Sequence, residues 1–65
     1  MERENLKKYR ISLKKSQNEM ANLLGITLSF YSKIELGLKN PSLNTIKRFK
    51  EIFPNADVEN FFLSQ

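Results

Sequence analysis

Residues 16–42, with the sequence SQNEMANLLGITLSFYSKIELGLKNPS, decide the fold of this chain. Ser16 and Glu19 have the spacing of a capping box, in which the serine hydroxyl and the glutamate side chain satisfy free amides at a helix start. The helix that follows is predicted to end at Gly25, because glycine readily adopts the left-handed conformation found at helix C-termini. The first part of the stretch therefore predicts one short helix.

A second short helix follows after a brief gap. Thr27 can cap this helix, which we predict over residues 28–36, and Gly37 ends it. Two short helices joined through Gly25, Ile26 and Thr27 have the tight connection of a helix-turn-helix. Any hairpin of two helices can use the same glycine, so the spacing alone leaves both DNA binding and a purely structural hairpin open.

The sequence on either side of this stretch predicts three more helices. One covers about residues 2–13, and its apolar positions at helical spacing are Leu6, Tyr9 and Leu13. After the stretch, Ser42 can cap a helix over residues 43–53, and Asp57 can cap a final short helix. No segment shows the period-two alternation of a half-buried strand. The chain is therefore predicted to be all-α, a compact bundle of five helices.

Two groups of apolar residues are predicted to be buried in the C-terminal part. The stripe of the helix over residues 43–53 consists of Leu43, Ile46, Phe49, Ile52 and Phe53. In the final helix, at least one of Phe61 and Phe62 is expected in the core, and the other is a candidate anchor of an interface.

The composition excludes several classes of function. The 65 residues contain no cysteine and no histidine, which excludes a disulfide framework, a zinc finger and a Cys or His nucleophile. Because the chain also lacks a phosphate loop, we expect neither an enzyme nor a bound cofactor or metal. A chain of this length forms one small domain, which we assign to residues 1–65.

The N-terminus and the hydropathy predict a location. The first residues are too charged for a signal peptide, and the apolar runs are too short to span a membrane. We therefore expect a cytoplasmic protein without a membrane partner.

The charges are distributed unevenly along the chain. Residues 1–50 carry all eleven Lys and Arg against four Glu, a balance of +7, whereas residues 51–65 carry three acids and no base. This asymmetry favours a polyanion-binding face away from the C-terminus. The alternative is the solubility that a lysine-rich surface ordinarily provides.

The helix predicted over residues 28–36 has two different faces. Successive residues rotate by about 100° around a helix, which places Phe30, Tyr31 and Ile34 on one arc that faces the core. The opposite arc contains no acid and consists of Leu28, Ser29, Ser32, Lys33 and Leu36. A neutral to basic face on a helix about 13 Å long suits the DNA major groove, which is about 12 Å wide.

A set of positions in residues 16–42 carries a resemblance to a known family. These positions are Ser16-Gln17, Glu19-Met20-Ala21, Leu24-Gly25-Ile26-Thr27, Ser29, Tyr31-Ser32-Lys33-Ile34-Glu35, Gly37 and Asn40-Pro41-Ser42. With this pattern the chain resembles the lambda-repressor-like (XRE-type) helix-turn-helix family, from Leu6 to Phe62. The resemblance implies a five-helix bundle whose third helix enters the major groove of double-stranded DNA, often as a dimer on a palindromic operator. It also implies a transcriptional regulator of the phage-repressor type.

The resemblance assigns roles to individual residues. Positions that face base edges in the family are matched by Leu28, Ser29, Ser32 and Lys33. Positions that meet DNA phosphates are matched by Gln17, Lys39 and Asn40, and we add Thr27 and Lys14 as further phosphate contacts. Arg10 and Glu35 match the family's buried ion pair between the first and third helices.

Three positions depart from the family pattern. Leu28 stands where a polar or basic residue is usual, so it can touch a thymine methyl group but cannot form a bidentate hydrogen bond. Leu36 stands where asparagine is common, which puts one phosphate contact in doubt. Lys14 and Lys15 replace a glycine–hydrophobic pair, which questions the shape of the turn before the second helix.

A protein-interaction module, such as an antitoxin or a partner of another regulator, is the alternative function. Leu28 and Leu36 on the exposed face favour it, and salt would separate the two functions, because DNA binding weakens steeply with salt. On DNA, one short helix reads too few base pairs to select one operator. We therefore predict a weak homodimer, formed in solution or only on DNA, through residues 57–65 with Phe61 or Phe62 as anchor.

Overall fold

A computed structural model describes residues 2–63 of the chain, and its regular structure is helical throughout. In chain order the elements are α1 (Glu4–Ser12), α2 (Gln17–Leu24), α3 (Leu28–Glu35), α4 (Leu43–Ile52) and a short π-helix, here α5 (Glu59–Leu63). No strand occurs in residues 2–63. The predicted all-α bundle of five helices is confirmed, and the helix ends that were predicted by number differ from the observed ones by at most two residues.

The helix starts are capped by the polar residues that the sequence indicated. Ser16 Oγ accepts a hydrogen bond from the Glu19 amide at 3.0 Å, and Glu19 Oε1 accepts one from the Ser16 amide at 2.8 Å. The hydroxyls of Thr27 and Ser42 accept amide hydrogen bonds at the starts of α3 and α4, and the Asp57 carboxylate accepts one at the start of α5. These bonds satisfy amides that have no partner within a helix.

Helices α2 and α3 form the predicted helix-turn-helix. Gly25 ends α2 with a φ of 71°, a left-handed conformation in which a residue with a β-carbon is strained. Ile26 follows in the turn and packs against the core. The turn brings α3 back against α2 and leaves the outer side of α3 facing away from the bundle.

The core lies at the centre of the five helices. Its largest fully buried side chains are Tyr31, Phe49, Leu6, Met20 and Ile34. An aromatic cluster, in which neighbouring ring centroids lie 5.1–6.2 Å apart, is formed by Tyr9, Phe49, Phe53, Phe61 and Phe62. Rings this large bury much apolar area per residue, which a small domain without disulfides needs for its stability. None of the helices in residues 2–63 is long and apolar enough to cross a membrane.

Two predictions about apolar residues in this region were wrong. At least one of Phe61 and Phe62 was expected in the core, and both are there, at 7% and 6% exposed, so the expectation that the other is an interface anchor was wrong. Leu43 is 79% exposed and does not belong to the buried stripe of α4. Relative to Phe49, Leu43 is displaced by about 120° around the helix, whereas Thr45 is displaced by only about 40° and is buried in its place.

The turn between α1 and α2 explains how the chain accommodates the lysine pair. Lys14 has a φ of 59°, the left-handed conformation for which glycine is favoured. Its amide donates to the Ile11 carbonyl, and the next residue, Lys15, donates to the Arg10 carbonyl. The turn therefore keeps the shape that a glycine would give it, with a strained lysine at that position.

Candidate nucleic-acid interface

A buried polar network joins the first three helices behind the outer face of α3. Arg10 Nε lies 2.6 Å from Glu35 Oε2, and the two side chains are only 11% and 4% exposed. Tyr31 donates its hydroxyl to Glu35 at 2.7 Å, and Gln17 Nε2 donates to the same carboxylate at 3.0 Å. Arg10 also donates to the Lys15 carbonyl at 2.9 Å, which ties the turn to the network. The predicted ion pair is present and fixes the orientation of α3.

The network shifts the pKa values of its members in different directions. Burial alone would raise the pKa of Glu35, but hydrogen bonds from Arg10, Gln17 and Tyr31 outweigh burial and lower this pKa. Burial and the bond to Glu35 raise the pKa of the Tyr31 phenol, so Tyr31 stays a neutral donor. The bond to Glu35 raises the pKa of Arg10. At neutral pH the network therefore holds one carboxylate and one guanidinium.

The predicted base-reading residues form the outer face of α3. Leu28, Ser29 and Lys33 are exposed and Ser32 is half-buried, while Tyr31 and Ile34 on the opposite side are in the core. Glu35, on the border between the faces, is buried and neutralised by Arg10. The outer face thus offers two hydroxyl groups, one ammonium group and the apolar Leu28, with no exposed carboxylate.

The structure places Gln17, a predicted phosphate contact, beside this face. A depression of about 120 Å³ lies where the starts of α1 and α2 meet the end of α3. It is lined by Glu2, Lys7, Gln17, Ser32, Glu35 and Leu36. Gln17 is also the first residue of α2, where backbone amides have no partner within the helix and attract anions. A base-reading and a phosphate-binding candidate therefore share one surface.

The other predicted phosphate contacts lie at three separate places. Lys39 and Asn40 are exposed in the loop after α3, and the Lys39 amide donates to the Lys33 carbonyl at 3.3 Å. Thr27 uses its hydroxyl oxygen to cap α3, which leaves its proton available to an acceptor. Lys14 is exposed in the turn before α2, and no hydrogen bond among residues 2–63 joins its side chain to α3.

One residue at this surface was missed by the sequence reasoning. Arg3 is buried, at 8% exposed, and its guanidinium donates to the end of α3 and to the Lys39–Asn40 loop. Its partners lie more than thirty positions away along the chain, with separations of 31, 36 and 37. Patterns of neighbouring residues cannot indicate a contact over such separations, so the sequence alone did not predict this role of Arg3.

Comparison with known proteins identifies the family. The helix-turn-helix family matches residues 6–54 of this chain, which contain most of α1 and the whole of α2, α3 and α4. A similar protein is the SPbeta prophage-derived uncharacterized HTH-type transcriptional regulator YonR of Bacillus subtilis (strain 168), with 45% identity over 49 residues. The match covers 75% of this chain and 45% of that relative, so it spans less than half of the relative's length. No solved structure is significantly similar to this chain.

The matched family is a helix-turn-helix family, and the matched residues include the helix-turn-helix observed in α2 and α3. The family match begins at Leu6 in α1 and contains the whole helix-turn-helix together with the Arg10–Glu35 pair. The chain therefore belongs to the XRE-type helix-turn-helix family of DNA-binding transcriptional regulators.

Proposed function

We propose that residues 1–65 form one sequence-specific, double-stranded DNA-binding domain of a transcriptional regulator, which reads the major groove with α3. The outer face of α3 carries this proposal, because it presents Leu28, Ser29, Ser32 and Lys33 on a helix whose other side is buried. The eight residues of α3 give a length of about 12 Å, which fits the groove width of about 12 Å.

Phosphate contacts on both sides of α3 would set its depth and register in the groove. Gln17 would bind a phosphate with the second proton of its side-chain amide and with its backbone amide at the start of α2. Lys39 and Asn40 would bind another phosphate near the end of α3. Contacts of this kind position a protein on DNA without reading sequence, whereas Lys33 can donate to the O6 and N7 atoms of guanine.

A role as a phage-type repressor is the finer part of the proposal. It is supported by the similarity to a regulator that is described as prophage-derived. Repression requires only that a bound domain occupies a promoter, so the geometry of a small DNA-binding bundle is sufficient for it. We expect the protein to act in the cytoplasm, on DNA and without a cofactor.

We further propose that two copies bind a palindromic site. Two α3 helices would double the number of base pairs read, with half-site centres about 34 Å apart or at a multiple of that distance. Because Phe61 and Phe62 are buried, we assign the apolar contact to Leu63, which is 65% exposed in the described part of the C-terminal segment. Leu63 lies beside the acidic residues Asp57 and Glu59, so a contact there would leave the basic side chains of residues 1–50 free to meet phosphate.

Salt dependence tests the proposal against the alternative of a protein-interaction module. If each protomer neutralises about four phosphates, the logarithm of affinity should fall against the logarithm of salt concentration with a slope near −7 for a dimer. A monomer would give about half that slope. The alternative is based on the exposed Leu28 and Leu36, and membership of a DNA-binding family does not favour it.

The decisive experiment selects bound sequences from a random duplex library and measures the affinity of the full chain for the selected site and for random DNA. Lys33→Ala should weaken binding to the selected site by about 10-fold or more and bring it closer to binding to random DNA. Lys47→Ala on α4 is the matched control, because it removes the same charge from an exposed position outside the face. Equal losses of affinity on both DNAs would limit Lys33 to a phosphate contact. If the selection enriches no sequence, the proposed function is contradicted.

A further inference from the structure

Arg3 holds the end of α3 and the loop that follows it through four hydrogen bonds. Its Nη1 donates to the Ile34 carbonyl at 2.7 Å and to the Lys39 carbonyl at 3.1 Å. Its Nη2 donates to Asn40 Oδ1 at 2.7 Å. The backbone amide of the same residue donates to the Glu35 carbonyl at 2.8 Å. One residue near the N-terminus therefore connects the last turn of α3 to two candidate phosphate contacts.

Packing alone does not account for an arginine at this place. Burial of a guanidinium is costly unless its charge and its donors are satisfied. No carboxylate in residues 2–63 forms an ion pair with Arg3, and its Nε is buried without a hydrogen-bond partner in the same part of the chain. Part of the cost is offset because the guanidinium lies at the C-terminal end of α3, where free carbonyls carry partial negative charge.

The bond to Asn40 has a consequence for what that side chain presents to solvent. A guanidinium can only donate hydrogen bonds, so the Asn40 amide must turn its oxygen towards Arg3. Its NH2 group then points away from Arg3, on a residue that is exposed. The Lys39 carbonyl is held by the same guanidinium, which restricts the backbone between the two residues. The loop is thereby fixed with hydrogen-bond donors directed outward, and phosphate oxygens accept hydrogen bonds from such donors.

We propose that Arg3 is a positioning residue, which holds the Lys39–Asn40 loop in the conformation that binds a DNA phosphate. This inference rests on the proposed DNA-binding function and adds to it a residue that does not touch DNA. The coupling acts through the guanidinium fork, since one planar group reaches two carbonyls and one amide oxygen at once.

Neutral phosphates in the DNA make the inference testable. A series of duplexes carries one methylphosphonate in place of each phosphate of the selected site in turn, and affinity is measured for the full chain and for Arg3→Met. For the parent chain, neutralising the phosphate at the Lys39–Asn40 loop should reduce affinity by about 10-fold or more. In Arg3→Met this penalty should disappear, while penalties at phosphates near the start of α2 should remain.

Two variants separate positioning from charge and from general loss of stability. The map of a variant is its set of affinity losses across the methylphosphonate series. Arg3→Lys retains the charge but lacks the planar guanidinium fork, so its map should resemble that of Arg3→Met. Arg48→Met is the matched control, because Arg48 Nε also donates to a backbone carbonyl, that of Leu23 at 2.7 Å, but on α4. Its map should keep every penalty of the parent chain. Circular dichroism melting of each variant shows whether it is folded at the assay temperature.

Each outcome of the series decides one question. A folded Arg3→Met with the parent map, or an Arg3→Lys that restores the parent map fully, would overturn the positioning role. If Arg3→Met does not fold, Arg3→Lys replaces it, and a folded Arg3→Lys that keeps the parent's affinity loss at the Lys39–Asn40 phosphate would overturn the inference as well. If the parent chain binds no duplex, or no methylphosphonate weakens it, the proposed function itself fails.

Discussion

Gln17 Nε2 lies 3.0 Å from Glu35 Oε1, so a predicted phosphate contact is hydrogen-bonded to the buried Arg10–Glu35 pair. A side-chain amide has two protons, and Glu35 occupies one of them. The other proton remains available to a phosphate, and its direction is set by the bond to Glu35. The ion pair thereby orients α3 from behind, and it also orients Gln17, a predicted phosphate contact, beside that helix.

Replacing Gln17 with alanine should separate these two effects. We expect a loss of about 1 kcal/mol in the free energy of unfolding, because Glu35 loses one of its hydrogen-bond donors. We also expect affinity to fall by the same factor on selected and random DNA, with the salt slope shallower by about 1, because a phosphate contact carries no sequence information. Chemical denaturation and a salt titration of DNA binding measure the two quantities.

The neighbouring residue provides the control for this prediction. Asn18 is exposed on the same first turn of α2 and forms no side-chain hydrogen bond within residues 2–63. Asn18→Ala should leave the free energy of unfolding within about 0.5 kcal/mol of that of the parent chain. A Gln17→Ala variant with the parent salt slope would show that Gln17 serves the fold alone.

The lowered pKa of Glu35 predicts how stability depends on pH. Because the folded pKa lies below the ordinary value of 4.5, the charged carboxylate contributes stability that is fully present above that pH. This stability should be lost as pH falls through the folded pKa. The variant Glu35→Gln has no such proton to bind, so its free energy of unfolding should change less with pH in the same acidic range.

Glu19 also contributes to the dependence of the free energy of unfolding on pH. The bond from the Ser16 amide lowers the pKa of Glu19 too, so some acid sensitivity should remain in Glu35→Gln. Near pH 7, Glu35→Ala should cost about 3–5 kcal/mol, since it leaves the Arg10 guanidinium buried without its partner. Denaturant titrations from pH 7 downward test the pH dependence of Glu35→Gln and the loss of stability in Glu35→Ala. If the free energies of unfolding of the parent chain and of Glu35→Gln changed in parallel with pH, the predicted role of the Glu35 carboxylate would be contradicted.

The sequence predicted those features of the fold that depend on nearby residues. The caps at Ser16, Thr27 and Ser42 use partners three residues further along, so their spacing is visible in the sequence. The pairing of Arg10 with Glu35 is not local, and it was predicted only because the family resemblance supplied it. Arg3 shows the limit, because neither a local pattern nor the resemblance assigned it a role.

The two wrong predictions about apolar residues arose from assigning helix faces by residue spacing alone. Leu43 and Ile46 have a spacing of three, which suggests one face, but the buried arc of α4 is centred near Phe49 and excludes Leu43. The two adjacent phenylalanines near the C-terminus differ by about 100° on an ordinary α-helix, which suggests that one faces outward. They lie in the π-helix α5, and both pack on the aromatic cluster, with their rings perpendicular at a centroid distance of 6.2 Å.

Replacing Lys14 with glycine should stabilise the fold and weaken binding. A residue with a β-carbon at a φ of 59° is strained by about 1 kcal/mol, and glycine relieves this at a smaller cost in unfolded-state entropy. We expect a gain of up to about 1 kcal/mol in the free energy of unfolding. If Lys14 meets a phosphate, the salt slope should become shallower by about 1. Lys15→Gly, at a negative φ, is the control and should destabilise the fold.

The exposed Leu28 predicts a requirement for a thymine methyl group in the DNA site. Leu28 is 47% exposed at the start of α3 and can offer only apolar contact to a base edge. In the selected site, replacing one specific thymine with deoxyuridine, which lacks only that methyl, should weaken binding by about four-fold, the equivalent of one buried carbon. Leu28→Ala should bind both duplexes equally, whereas Leu43→Ala, exposed on α4, should retain the four-fold difference. If no deoxyuridine substitution weakens the parent chain, Leu28 does not read thymine, and its exposed side chain is then available for contact with a protein partner.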